Sequence, residues 1–166
     1  MSRVSKYMEK KPAGYDELEI IPLPGAKMED ILKCALATIK KTFYPIIIIA
    51  GGVNNLTRHT GKQIIINETF VLQMPLIMIS QCQNFIQDVE DISPKIKIVF
   101  CPFLPVSLDK YNSHLKGEAF CNFCNGPDQV KINKAASKFN RYIKNLNDRA
   151  GILTPTFTDS YDLQFK

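Results

Sequence analysis

Residues 45–57 read Pro-Ile-Ile-Ile-Ile-Ala-Gly-Gly-Val-Asn-Asn-Leu-Thr, so the greasiest run of the chain ends in two glycines and, one residue on, two asparagines. The chemistry such a block could do is to hold negative charge developing on an oxygen. Glycine lets the backbone turn and approach a ligand closely, and an asparagine side chain offers an N–H donor. The same residues also read as a strand-ending turn whose amides bond locally. Taken by itself, the block leaves both readings open.

Two other groups of residues carry possible chemistry. Cys101, His114, Cys121 and Cys124 have zinc-ligand types, and the last two have Cys-x-x-Cys spacing. No second pair of that spacing and no paired histidine completes the set. Ordinary loop thiols are therefore the expectation, and no metal or other cofactor is implied. Lys131, Lys134, Lys138 and Arg141 form the basic face of a helical pattern that could lie on phosphate. Such a face is more often the solvated side of an amphipathic helix, and no aromatic-rich sheet motif accompanies it. Nucleic acid is not the expected partner.

The elements that must position these residues alternate. Residues 18–22 read as a short strand followed by a Pro-Gly turn. Met28, Ile31, Leu32, Ala35, Leu36 and Ile39 lie at helical spacing on one stripe. Residues 46–50 are continuously apolar, as in a parallel strand covered on both faces, and residues 54–68 read as a polar loop. Pro75 opens a second helix whose face is Leu76, Ile79, Cys82, Phe85, Ile86 and Val89. A strand over residues 95–101 follows, then a long irregular stretch. A third helix carries Ile132, Ala136, Phe139, Ile143 and Leu146 inward and is capped by Gly151, ahead of a last strand at residues 152–157. Alternation of this kind predicts an α/β fold, a three-layer α/β/α sandwich around a parallel, flavodoxin-like sheet, as a single domain over residues 1–166.

Composition narrows the setting. With 45% hydrophobic and 22% charged residues, and no run of about 18 apolar residues, the chain reads as globular and not membrane-spanning. Its first twenty residues contain no apolar secretory segment, and its five cysteines are an odd number without regular spacing. A cytoplasmic protein with reduced thiols is expected. The formal charge of +5 permits loose attraction to polyanions without requiring it.

Read in order, "PLPGAKMEDIL", "YPIIIIAGGVNNLT", "KIKIVFCPFLP" and "INKAASKFNRYIKNLN" resemble the SGNH (GDSL-type) hydrolase family over most of the chain. The resemblance implies acyl-ester chemistry. It matches Gly25 to the family's oxyanion glycine and Gly52-Val53-Asn54-Asn55 to its Gly-x-Asn-Asp block, with Asn54 as the oxyanion asparagine and Asn55 in place of the usual aspartate. The family's Gly-Asp-Ser nucleophile block and Asp-x-x-His block have no counterpart. Ser2 and Ser5 lack a preceding strand, Asp159 and Asp162 have no histidine after them, and His59 and His114 lie elsewhere.

The resemblance thus implies an SGNH-like domain with oxyanion elements but no nucleophile or base, inactive as this chain and missing the first strand, as a fragment or shortened gene would be. Its ligand would be a small acyl ester or carbohydrate ester. The competing expectation is a non-catalytic binding or scaffold domain, or a mobile-element remnant. A sheet lacking its first strand would also leave an apolar edge open to self-association.

Overall fold

Three helices, spaced as the apolar stripes predict, are separated by short strands among the described residues. The computed structural model describes residues 19–60, 63–67, 71–104, 106–108, 112 and 126–155. Helix α1 is Met28–Ile39, strand β1 is Ile46–Ile49, and a single 3-10 turn spans Val53–Asn55. Strands β2 (Thr57–Thr60) and β3 (Gln63–Ile66) follow, then helix α2 (Met74–Ile92), strand β4 (Lys97–Phe100) and helix α3 (Pro127–Arg149).

Strands β1 and β4 pair in parallel, Ile47 opposite Ile98 and Ile49 opposite Phe100, while β2 and β3 form a separate antiparallel hairpin. Among the described residues the fold is mixed α/β with a small parallel sheet and three helices. Within the parallel sheet the strand period of two decides which side chains meet the helices. Ile49, Ile98 and Phe100 are buried together with Leu32 of α1, Phe85 and Val89 of α2, and Phe139 and Ile143 of α3. Phe85 meets Phe100 edge to face with ring centres 6.4 Å apart, a favourable aromatic geometry that ties α2 to β4.

Several expectations are corrected. Ile46 and Ile48 are 55% and 58% exposed, so β1 is covered on one face and not on both. Continuous isoleucine is compatible with either state, because a strand's hydrophobicity does not report how many layers pack on it. Residues 19–22 form no strand, and Ile20 and Ile21 are exposed; an apolar run becomes a strand only where a partner supplies its ladder. The stretch expected as a polar loop contains the β2/β3 hairpin, in which β-branched residues at 64–66 outweigh the surrounding polar ones. Residues 152–155 form no strand either; the rest of that expected element, residues 156–157, lies outside the described residues.

The helices fall where expected, with small shifts of face. In α2, Leu76 is exposed, while Pro75 and Met78 are buried beside Ile79, Cys82, Phe85 and Val89. In α3 it is Ala135, not Ala136, that is fully buried. Gly151 caps α3 as expected: its N–H bonds the Asp148 carbonyl at 3.1 Å, and the Ile152 N–H bonds the Asn147 carbonyl at 2.9 Å. That pair of bonds is the Schellman arrangement.

Cys82 is sealed within this core, and burial pushes its thiol up from 9.0 to about 12. Below the lower value both states keep the proton and the group contributes nothing to pH dependence. Above it the unfolded chain ionises first, so stability is expected to fall as pH rises from about 9 towards about 12. Peptide mapping after iodoacetamide treatment at mildly alkaline pH should leave Cys82 unmodified in the native chain and modified in urea. Equal labelling in both conditions would refute the sealed position.

Candidate functional site

The candidate site is the junction of two loops, one entering α1 and one leaving β1. At the first, Leu23-Pro24-Gly25-Ala26 makes a tight turn closed by the Ala26 N–H on the Leu23 carbonyl at 3.2 Å, with Gly25 at φ +75°. Proline second and a positive-φ glycine third are what a type II turn requires. Gly25 sits exposed at its tip.

At the second loop, Gly52 has φ +95° and is buried. A Cβ there would lie 2.9 Å from Met28 Cε and 3.1 Å from Phe103 Cε1, so only glycine allows this approach of the chain to α1 and to the segment after β4. The 3-10 turn follows, closed by Asn55 N–H on the Gly52 carbonyl at 3.0 Å and Leu56 N–H on the Val53 carbonyl at 2.9 Å.

The two asparagines bind the loops to each other. Asn54 Nδ2 donates to the Ala26 carbonyl at 3.0 Å. Asn55, buried, accepts the Met28 N–H on its Oδ1 at 2.8 Å, and its Nδ2 lies 3.9 Å from Met74 Sδ. Met28 is the first residue of α1, whose opening N–H groups have no partner within the helix. Asn55 therefore caps the helix from 27 residues away in sequence. An amide oxygen does this as a carboxylate would, so an asparagine at this position still supports the loop. Lys27 N–H adds a bond of 3.1 Å to Asp30 Oδ2 in the first turn.

The structure thus brings Gly52, Asn54 and Asn55 against the turn that carries Gly25. What this arrangement can do chemically is limited and specific. It contains no titratable group among its four residues; it offers neutral donors. Asn54 Nδ2 has two hydrogens and gives one to Ala26. The other hydrogen and the Gly25 N–H have no bond among the described residues.

The other candidates are not assembled. His59 is exposed on β2, opposite Ile64. Cys101 is half-buried, and burial raises its thiol pKa. His114, Cys121, Cys124, Ser2, Ser5, Asp159 and Asp162 lie outside the described residues. Among the described residues no three His, Cys, Asp or Glu side chains converge as a metal site would need.

Sequence reasoning missed the amides that hold the far side of the site. Asn140 brackets Phe103, accepting its N–H at 2.6 Å and donating to its carbonyl at 3.1 Å. Asn147 does the same to Phe100, at 3.2 and 2.8 Å. Gln129 accepts the Leu108 N–H at 2.9 Å and donates to the Val106 carbonyl at 2.7 Å. Each is a side chain standing in for a neighbouring strand. Phe103 is further fixed by stacking on Phe139, with ring centres 4.3 Å apart and planes inclined by 19°. Since Phe103 is what closes on Gly52, α3 sets the floor of the site. A signal was present: Asn133, Asn140 and Asn147 recur every seven residues along a helix in which asparagine is a poor former.

Comparison with known protein families, curated proteins and solved structures returns no match.

Proposed function

We propose that this chain is an SGNH-like domain that keeps the oxyanion-binding side of an acyl-ester site and has no hydrolytic turnover of its own. The observation that supports it is the fastening of the Gly25 turn to the Gly52–Asn55 loop through Asn54 and Asn55. Donors stabilise a developing oxyanion only if they are fixed in advance, and these bonds fix them. The remaining Asn54 Nδ2 hydrogen and the Gly25 N–H are the donors left for an oxygen. A serine hydroxyl becomes nucleophilic only with a base in reach. The 166 residues contain no Gly-Asp-Ser sequence, and their histidines are His59 and His114. Such a domain binds a short acyl ester or carbohydrate ester without cleaving it.

Incubated with p-nitrophenyl acetate or butyrate, the purified chain is expected to release no more nitrophenol than buffer does. Saturation-transfer NMR should detect ethyl butyrate bound to the wild type and lose the signal in Asn54→Ala, with melting curves checking that the variant is folded. Turnover abolished by Ser2→Ala or Ser5→Ala would end the first half of the proposal. An unchanged NMR signal in folded Asn54→Ala would end the second.

The scaffold reading rests on a different observation. Tyr44 donates its hydroxyl to the Glu19 carboxylate near the start of β1, and Asn54 holds Ala26 beyond its end. Residues 19–26 are therefore tethered to the β1 segment at both ends, yet no backbone ladder joins residues 19–23 to β1 among the described residues. A strand placed between them would extend the parallel sheet, and a layer over Ile46 and Ile48 would make the three-layer sandwich. On this reading the open edge drives self-association. Sedimentation velocity on the same preparation decides it, since a monomer at every concentration tested would remove the edge from consideration.

A further inference from the structure

Helix α3 carries a second feature that the oxyanion reading does not use. Lys134, Lys138 and Arg141 stand at i, i+4 and i+7, on one side of the helix. Together with Ser137, Ala135 and Leu72, from the turn ahead of α2, they line a cleft of about 620 Å³. The cleft is open to solvent along the helix, so it would hold a ligand at the surface without enclosing it.

Among the described residues, no carboxylate neutralises the charge in the cleft. At the two ends of the helix, Lys131 lies 3.7 Å from Asp128 and Lys144 lies 2.6 Å from Asp148. Among the described residues, Lys134, Lys138 and Arg141, between those pairs, make no ion pair, and no carboxylate lines the cleft. Like charges one helical turn apart repel, so an arrangement of three cations is better satisfied by an external anion than by itself.

We propose that this cleft binds a small phosphorylated molecule. A guanidinium matches two phosphate oxygens at once, and two ammonium groups supply point charge beside it. Ser137 adds a hydroxyl donor. Leu72, more than half exposed, gives an apolar wall for the organic part of the ligand. The unneutralised charge runs from residue 134 to residue 141, about 10 Å along the helix axis at 1.5 Å per residue. Long lysine and arginine side chains spread over that length can converge on one phosphomonoester or pyrophosphate group. A polynucleotide would use a longer basic track, and here the cations on either side are already paired with aspartates. None of the residues is shared with the Gly25 and Asn54 junction, so the proposal stands independently of the acyl-ester reading.

The test is titration of the full chain at low salt with inorganic pyrophosphate and, separately, with adenosine diphosphate, followed by calorimetry and by 15N–1H NMR. Saturable binding is expected, with shifts concentrated at residue 72 and residues 134–141, and with affinity falling as salt is added. The triple variant Lys134→Gln, Lys138→Gln, Arg141→Gln should bind at least about tenfold more weakly. Lys40→Gln, exposed in the turn just past α1, should leave binding unchanged. Shifts spread evenly over the surface, equal weakening by Lys40→Gln, or no saturation at millimolar pyrophosphate would overturn the proposal. Tighter binding of a twelve-nucleotide single-stranded RNA, competing with pyrophosphate, would overturn it in favour of a nucleic-acid surface.

Discussion

Asn147→Leu is expected to lower the unfolding free energy by about 2–6 kcal/mol, a large part of the roughly 5–15 kcal/mol typical of a domain. Asn147 is 1% exposed and brackets Phe100, accepting its N–H and donating to its carbonyl, with a further bond of 3.2 Å to Thr154 Oγ1. Leucine fills a similar volume, so the substitution leaves no large cavity. It leaves two backbone groups of a buried strand residue without partners, and each such orphan costs about 1–3 kcal/mol. Asn145→Leu, exposed on the same helix two residues away, is the control and should change stability by no more than about 0.5 kcal/mol. Urea denaturation of both variants reads the difference directly. Similar midpoints would show that Asn147 does not carry the edge of β4.

The second large effect is expected at Gly52. Alanine there meets two costs: the left-handed backbone, about 1–2 kcal/mol for a residue with a Cβ, and crowding against Met28 and Phe103, about 1–3 kcal/mol. Gly25 separates the two, because it also has positive φ but has open space where a Cβ would go. Gly25→Ala should therefore show only the backbone cost, and Gly52→Ala a loss of about 2–5 kcal/mol. The methionine end can swing aside; the Phe103 ring cannot, because Phe139 stacks on it and Asn140 holds its backbone. Equal destabilisation of the two variants in thermal or urea melts would mean that the chain does not close on Gly52 as described. If the difference appears, Gly52→Ala should also loosen the Asn54 and Asn55 bonds to the α1 loop, since all four residues share one junction.

Both effects arise from contacts between segments far apart in the chain, and this is where the sequence stopped being informative. Helices α1, α2 and α3 were legible because an apolar stripe every three to four residues is a local property, and so was the Gly151 cap. Strands β1 and β4 were legible as short apolar runs between turn residues. The block at residues 52–55 was legible as a candidate site, because glycines and amides at the end of a wholly apolar run are unusual enough to ask about.

Whether an apolar run is a strand depends on a partner, and only the tertiary structure supplies partners. It paired Ile46–Ile49 with Lys97–Phe100 and left residues 19–22 without a ladder, although the two runs look alike. It exposed Ile46 and Ile48, because helices cover one face of β1 and nothing in four isoleucines encodes the number of layers. It also gave the asparagines their roles. A side-chain amide has one acceptor and two hydrogens wherever it stands. Asn54 and Asn55 became ties between loops, and Asn140 and Asn147 became substitutes for a strand edge, only through which backbone groups folding placed opposite them.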